Sequence, residues 1–177
     1  MSHHAHADAG RQPLEIAELP KEQVARFDAG LPDILKRYPP DHREAALLPA
    51  LHLAQHVFGW LPPAAQRLAA ERIGVPPVRA EEVATFYVMY HTRPVGRHVV
   101  EVCTNVSCSL TGGFDIFEHL KRTLKVENGG TTRDGRITLR QVECLGSCAT
   151  APAMLVDEEM HEQLTPEKVD RILGDLK

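Results

Sequence analysis

The four cysteines constrain this chain most, because they form two close pairs that each follow a β-rich segment. Cys103 and Cys108 are separated by four residues, Cys144 and Cys148 by three, and 35 residues lie between the pairs. Loops that follow neighbouring strands can meet at the same side of a sheet. The spacing therefore predicts one site with four thiols, and no cysteine is left over.

The segments around the pairs predict a small mixed sheet covered by helices. Residues 98–102 and 137–139 have the composition of strands, and residues 114–125 form an amphipathic helix pattern. Residues 153–156 and 160–164 suggest a hairpin. A closing helix begins with Thr165 as its cap and Pro166 at its first position. An α/β domain resembling thioredoxin is the economical architecture.

The first half of the chain has a helical pattern punctuated by proline and glycine. The clearest helix is predicted from Asp41, with Glu44 completing a capping box, to Gly59. Pro49 should bend this helix or delay its start. Two more helices follow, one from Pro62 and Pro63 to Gly74 and one over residues 77–90.

Side chains of the last of these helices form an apolar stripe that is most simply explained by core packing: Val83, Phe86, Tyr87 and Tyr90. We therefore predict three regions. Residues 1–18 are a disordered His-rich tail, residues 19–92 a helical bundle for partner docking, and residues 93–177 the thioredoxin-like domain with the cysteines.

Composition narrows the function classes. Lys and Arg number 20 against 24 Asp and Glu, with no dense basic run, so nucleic acid is not an expected partner. No apolar stretch approaches the roughly 20 residues that span a bilayer, so no membrane insertion is expected. No secretory signal is visible, so a reducing cytosol is the default and thiols should stay free for metal.

Three chemistries compete for the four thiols. Disulfides need an oxidising compartment, and a thioredoxin-type redox pair has two intervening residues, unlike either pair here. Structural zinc also takes four cysteines, but its knuckles favour two-residue spacers. A 2Fe-2S cluster needs two thiolates on each iron, which suits two separate pairs with wide loops. The spacing favours iron-sulfur chemistry over zinc, and structural zinc stays open.

Four segments resemble the small thioredoxin-like 2Fe-2S subunit of respiratory complex I. Two of them contain the cysteines, 102–108 (VCTNVSC) and 143–152 (ECLGSCATAP). The other two, 38–51 (YPPDHREAALLPAL) and 82–87 (EVATFY), belong to the helical region. The resemblance implies a thioredoxin-like 2Fe-2S ferredoxin domain after a small N-terminal helical domain. It also implies that Cys103, Cys108, Cys144 and Cys148 bind one cluster.

The same resemblance implies a one-electron carrier in the NADH-dehydrogenase module of an NADH:quinone oxidoreductase. FMN and NADH would be bound by a partner subunit, with other peripheral-arm subunits nearby, on the cytoplasmic side of the inner membrane. Related subunits occur in NAD-dependent formate dehydrogenases and NAD-reducing hydrogenases, which are alternatives. A structural zinc adaptor is the alternative of another class.

Motifs for substrate chemistry are not found in the sequence. No Gly-rich dinucleotide fingerprint follows a predicted strand, and no nucleophile has an evident local base. His52 and His56 are four residues apart but lack the glutamate of a zinc-protease motif, so a surface or interface role is expected. The chain is therefore predicted to be an enzyme subunit that is not catalytic alone.

Overall fold

A computed structural model describes residues 18–176 of the chain. All but Glu18 of the predicted His-rich tail lies outside the described residues. The chain divides into two compact units between Pro94 and Val95. Over residues 18–94 the regular elements of the first unit are all helices, and the second unit contains the sheet and all four cysteines.

The described part of the helical unit, from residue 18 onward, has four α-helices and one 3-10 helix. These are α1 (Lys21–Leu35), the 3-10 helix (Pro40–Ala46), α2 (Leu47–Phe58), α3 (Pro63–Ile73) and α4 (Pro77–Phe86). Prolines at the first positions of α3 and α4 have the φ that a helix needs and lose no hydrogen bond there. Gly59 and Gly74 end α2 and α3 in the left-handed conformation, at φ +81° and +89°.

The predicted start of α2 at Asp41 is wrong. Residues 40–46 form a 3-10 helix interrupted by His42 at φ −128°, and no side-chain cap is made there. The α-helix begins at Leu47, so that Pro49 lies in its first turn. A proline is tolerated in the first turn because the N–H groups there have no partner within the helix. Pro49 thus delays the helix rather than bending it.

The predicted end of α4 is also too late. The helix ends at Phe86, and Tyr87 is extended with φ −88° and ψ 121°. Tyr90 is buried and its hydroxyl donates to Leu48 O at 2.7 Å, while burial raises the pKa of Tyr90 to about 12. Phe86 is 76% exposed and Tyr87 is 40% exposed, so the prediction of core packing holds for Tyr90 and is wrong for these two residues.

The second unit has a four-stranded sheet of mixed direction, in the order β2-β1-β3-β4. The strands are β1 (His98–Cys103), β2 (Ile137–Val142), β3 (Met154–Val156) and β4 (Glu159–His161). Its helices are α5 (Val106–Leu110), α6 (Gly113–Leu124) and α7 (Pro166–Asp175), with a 3-10 turn at Cys148–Thr150. None of the helices within residues 18–176 has the length and apolarity to span a bilayer.

One face of the sheet forms the core of this unit with α6 and α7. Val100, Leu139 and Met154 are fully buried there together with Leu120 of α6 and Val169 of α7. Residues of α6 and α7 belong to the same buried cluster, so both helices pack on the same face of the sheet. This packing fixes the strands whose ends carry the cysteines.

The pairing of β1 with β2 determines where the cysteines lie. The two strands are parallel and adjacent, and their register pairs Cys103 with Val142. Parallel neighbours end at the same edge of a sheet. The loops that follow β1 and β2 therefore begin side by side, which is the arrangement that the cysteine spacing suggests.

Candidate metal centre

The structure places the two cysteine pairs in different surroundings. Cys103 is the last residue of β1 and Cys108 lies in α5, and both are buried, with 4% and 3% of their surfaces exposed. Cys144 follows β2 in a loop, and Cys148 begins the short 3-10 turn; both are exposed. One pair is thus fixed by packing, whereas the other depends on its loop.

The first loop turns back on itself because Asn105 caps α5. Its Oδ1 accepts the Val106 N–H at 2.7 Å, and its carbonyl accepts the Ser109 N–H at 2.7 Å. This one-turn helix returns the chain toward the end of β1, where Cys108 and Cys103 share a small buried cluster with Ala153. The sequence-based prediction missed α5, since five residues are too few to show a helical period.

The second loop turns at Gly146, which has φ +76° in the left-handed region where only glycine is unstrained. Its N–H donates to Cys144 Sγ at 3.4 Å. Backbone N–H groups directed at sulfur stabilise negative charge on a thiolate. Gly146 thus forms the turn and also donates a hydrogen bond to one of the four sulfurs.

Hydrogen bonds join the two loops at the sheet edge. The Cys103 N–H donates to Ala153 O at 3.1 Å, and the Thr104 N–H donates to Val142 O at 3.1 Å. The Cys103 thiol lies 3.7 Å from Glu143 O, a weak sulfur hydrogen bond. These contacts hold the segment before Cys144 and the segment after Cys148 against the end of β1.

The thiols also interact electrostatically. Burial raises the pKa of the Cys108 thiol above its usual value, and its interaction with the Cys103 thiol raises this pKa further. Negative charge on Cys103 or Cys148 acts on the pKa of Cys108 in the same direction. Metal ligation requires thiolates, so a cation that binds here releases protons from this site.

The donor set fits a 2Fe-2S cluster in number, chemistry and pairing. Two thiols come from the end of β1 and α5, and two come from the loop after β2. Each iron of such a cluster takes two thiolates. No three of the His, Cys, Asp and Glu side chains in residues 18–176 are arranged around a single metal position. The predicted cluster-binding role of the four cysteines therefore remains a prediction.

A carboxylate that sequence reasoning missed lies next to the second pair. Glu162 accepts hydrogen bonds from Ser147 and Thr150, the hydroxyl residues on either side of Cys148. These bonds hold the pKa of the Glu162 carboxyl below its usual value. The sequence offers no signal for this contact, because 12 or more residues separate Glu162 from both hydroxyls.

At Gly113, the first residue of α6, the helix packs closely against the backbone of the first cysteine loop. A Cβ added there would lie 2.7 Å from Cys108 O and 2.8 Å from Cys103 O, which are backbone atoms that cannot move aside cheaply. We expect Gly113→Ala to destabilise the unit by about 1–3 kcal/mol, the usual cost of overpacking. Urea denaturation monitored by circular dichroism measures the change.

Gly174 in α7 is the matched control for this substitution. A Cβ there meets no atom within 4 Å, so Gly174→Ala should stabilise the helix by about 0.5–1 kcal/mol. Equal effects of the two substitutions would mean that Gly113 has no special role in the approach of α6 to the loop.

Comparison with known proteins identifies the family. The family model described as thioredoxin-like 2Fe-2S ferredoxin matches residues 31–177. The chain belongs to this family. A curated relative, a subunit of the NADH-quinone oxidoreductase of Rickettsia bellii, is 41% identical over 146 residues, which cover 82% of this chain and 87% of that protein. The subunit of the same name from Mycobacterium tuberculosis H37Rv is 39% identical over 89% of this chain and 62% of its own length.

A solved structure shows the same fold within a larger chain. The H2-reduced NAD+-reducing NiFe hydrogenase matches with a TM-score of 0.64 and 25% identity, over 73% of this chain and 22% of the hydrogenase chain. Together these findings confirm the predicted fold class and the predicted resemblance. The relatives are named as oxidoreductase subunits, which confirms the prediction that the chain is part of an enzyme.

Proposed function

We propose that this chain holds one 2Fe-2S cluster on Cys103, Cys108, Cys144 and Cys148 and carries single electrons in an NADH:quinone oxidoreductase. The observation that carries the proposal is the delivery of two thiol pairs to one sheet edge by the parallel strands β1 and β2. The family and the curated oxidoreductase relatives support the same conclusion.

The chain's own residues have distinct tasks in this function. When bound, a 2Fe-2S cluster supplies one-electron redox chemistry. Cys103 and Cys108 are buried, so water is excluded from their side of the site. Cys144 and Cys148 are exposed, which leaves the other side open to an electron donor. The Gly146 N–H stabilises negative charge at Cys144 Sγ.

The electron donor is proposed to be the reduced flavin of a partner subunit that also binds NADH. The relatives are subunits of enzymes whose name includes both NADH and quinone. In a complex of that kind this chain belongs to the NADH-dehydrogenase module, beside other peripheral-arm subunits, on the cytoplasmic side of the inner membrane.

A second candidate complex is an NAD+-reducing hydrogenase. The hydrogenase match favours it, although the curated relatives at about 40% identity favour the quinone reductase. Mass spectrometry of the subunits that co-purify with the full chain separates the two complexes. Hydrogenase metal subunits in the preparation would contradict the quinone reductase.

Metal and sulfide analysis of the purified chain tests the cluster itself. We expect iron and acid-labile sulfide in equal amounts, about two of each per chain, because the cluster has that composition. Dithionite reduction should then give the electron paramagnetic resonance (EPR) signal of a reduced 2Fe-2S centre. One zinc without sulfide would instead establish the structural zinc adaptor.

A further inference from the structure

The turn that contains the exposed Cys148 is held by a side-chain contact rather than by core packing. We propose that Glu162 is a positioning residue for Cys148 and, through its charge, lowers the reduction potential of the site. This inference rests on the proposed function. It assigns a role to a residue that lies outside both cysteine segments.

The contact joins three side-chain oxygen atoms, one each from Glu162, Ser147 and Thr150. Thr150 Oγ1 donates to Glu162 Oε1 at 2.6 Å, and Ser147 Oγ donates to the same oxygen. The two hydroxyl oxygens lie 2.7 Å from each other. Ser147 and Thr150 flank Cys148 in the 3-10 turn, so the carboxylate fixes the backbone on both sides of the cysteine. Hydrogen bonds to an ionised acceptor are stronger than neutral ones.

Glu162 is itself held in place by its neighbours. The Gln163 N–H donates to Thr150 O at 2.8 Å, and the Leu164 N–H donates to Pro152 O at 3.1 Å. Lys168 Nζ donates to Glu162 O at 2.6 Å. The segment after β4 therefore runs along the segment after Cys148, and α7 anchors it. A carboxylate fixed in this way can determine where the turn lies.

The first cysteine pair needs no comparable contact. Cys103 and Cys108 are buried and pack with Ala153. Cys144 and Cys148 are exposed, so packing does not fix their sulfurs. Exposed loops of this kind open locally at little cost in free energy unless side-chain hydrogen bonds hold them closed. Glu162 supplies that bond for the turn containing Cys148.

The charge of Glu162 has a second effect. Reduction adds one electron to the site, and a nearby carboxylate disfavours the added negative charge. The bonds from Ser147 and Thr150 favour the ionised carboxylate. Replacing Glu162 with a neutral residue should therefore raise the midpoint potential. If Glu162 only held the loop in place, a neutral side chain that still accepts the two hydrogen bonds would leave the midpoint potential unchanged.

Two variants of the full, cluster-loaded chain separate position from charge. Glu162→Ala removes both, and Glu162→Gln keeps a carbonyl acceptor but removes the charge. We expect Glu162→Ala to lose iron to a chelator about tenfold faster than wild type. Glu162→Gln should lose iron within about threefold of the wild-type rate and have a higher midpoint potential. The double variant Ser147→Ala with Thr150→Ala should reproduce the faster loss.

Glu159→Gln is the matched control, because Glu159 lies on the same hairpin, is exposed and has no hydrogen bond to Ser147 or Thr150. It should leave both the rate of iron loss and the potential unchanged. Wild-type loss in Glu162→Ala, or an equal potential shift in Glu159→Gln and Glu162→Gln, overturns the inference. If wild type holds zinc, the proposed function fails, while zinc loss from Glu162→Ala still tests the positioning role.

Discussion

Replacement of Cys103 with alanine is expected to abolish cluster binding, because one iron then lacks one of its two thiolates. Loss of a residue that only supports a metal ligand lowers affinity about 10–100-fold, so loss of a ligand should exceed that range. Iron and sulfide should fall below about a tenth of their wild-type content, and the reduced chain should lack the EPR signal.

Cys144→Ser should have a weaker effect than Cys103→Ala. A serine oxygen can occupy the position of the sulfur, and the exposed loop can adjust to the shorter bond. We expect partial iron retention with altered EPR g values. Ser109→Ala, in α5 beside Cys108, is the control for changes in the first loop that spare the thiols. Wild-type iron content in Cys103→Ala would refute the proposed ligand set.

The sequence predicts well where the two cysteine pairs lie, but it does not predict the side-chain contacts that hold their loops. Each cysteine pair follows a β-rich segment, and the structure has both strands, parallel and adjacent. That prediction succeeds because strand composition and cysteine spacing are local properties of the chain. The contact of Glu162 with Ser147 and Thr150 depends on the path of the chain through β3 and β4, which composition does not encode.

The helical unit shows where local rules give the wrong boundary. Asp41 and Glu44 satisfy a capping-box pattern, yet the α-helix begins at Leu47, after a 3-10 helix. Pro49 decides the outcome, because a proline costs least within the first turn. Capping residues make an N-terminus possible, whereas the proline restricts where the regular hydrogen bonds begin.

The aromatic stripe of α4 is a second place where a local pattern misleads. An aromatic residue at helical spacing predicts core packing, and Tyr90 is indeed buried. The helix ends at Phe86, however, so Tyr90 is buried from a segment outside the helix, while Phe86 in the last turn is exposed. A periodic pattern indicates which residues share a face only as long as the helix persists.

Phe27→Ala tests whether the two units are stable independently. Phe27 is fully buried in the core of the helical unit, together with Leu51 and Leu61. Truncation of a buried phenylalanine costs about 3–5 kcal/mol. Since whole domains are stable by only about 5–15 kcal/mol, we expect the helical unit to unfold at clearly lower urea concentration.

The cluster site should be unaffected by this substitution if the units unfold separately. The cysteines and their strands all belong to the unit that begins at Val95. We expect two transitions in the cluster-loaded Phe27→Ala chain, with loss of helical circular dichroism before loss of the visible absorbance of the cluster. Phe86→Ala is the control, since Phe86 is 76% exposed and its truncation should change stability by no more than about 0.5 kcal/mol. Coincident loss of both signals in Phe27→Ala would show that the units unfold together, and the predicted division into separate domains would then be wrong.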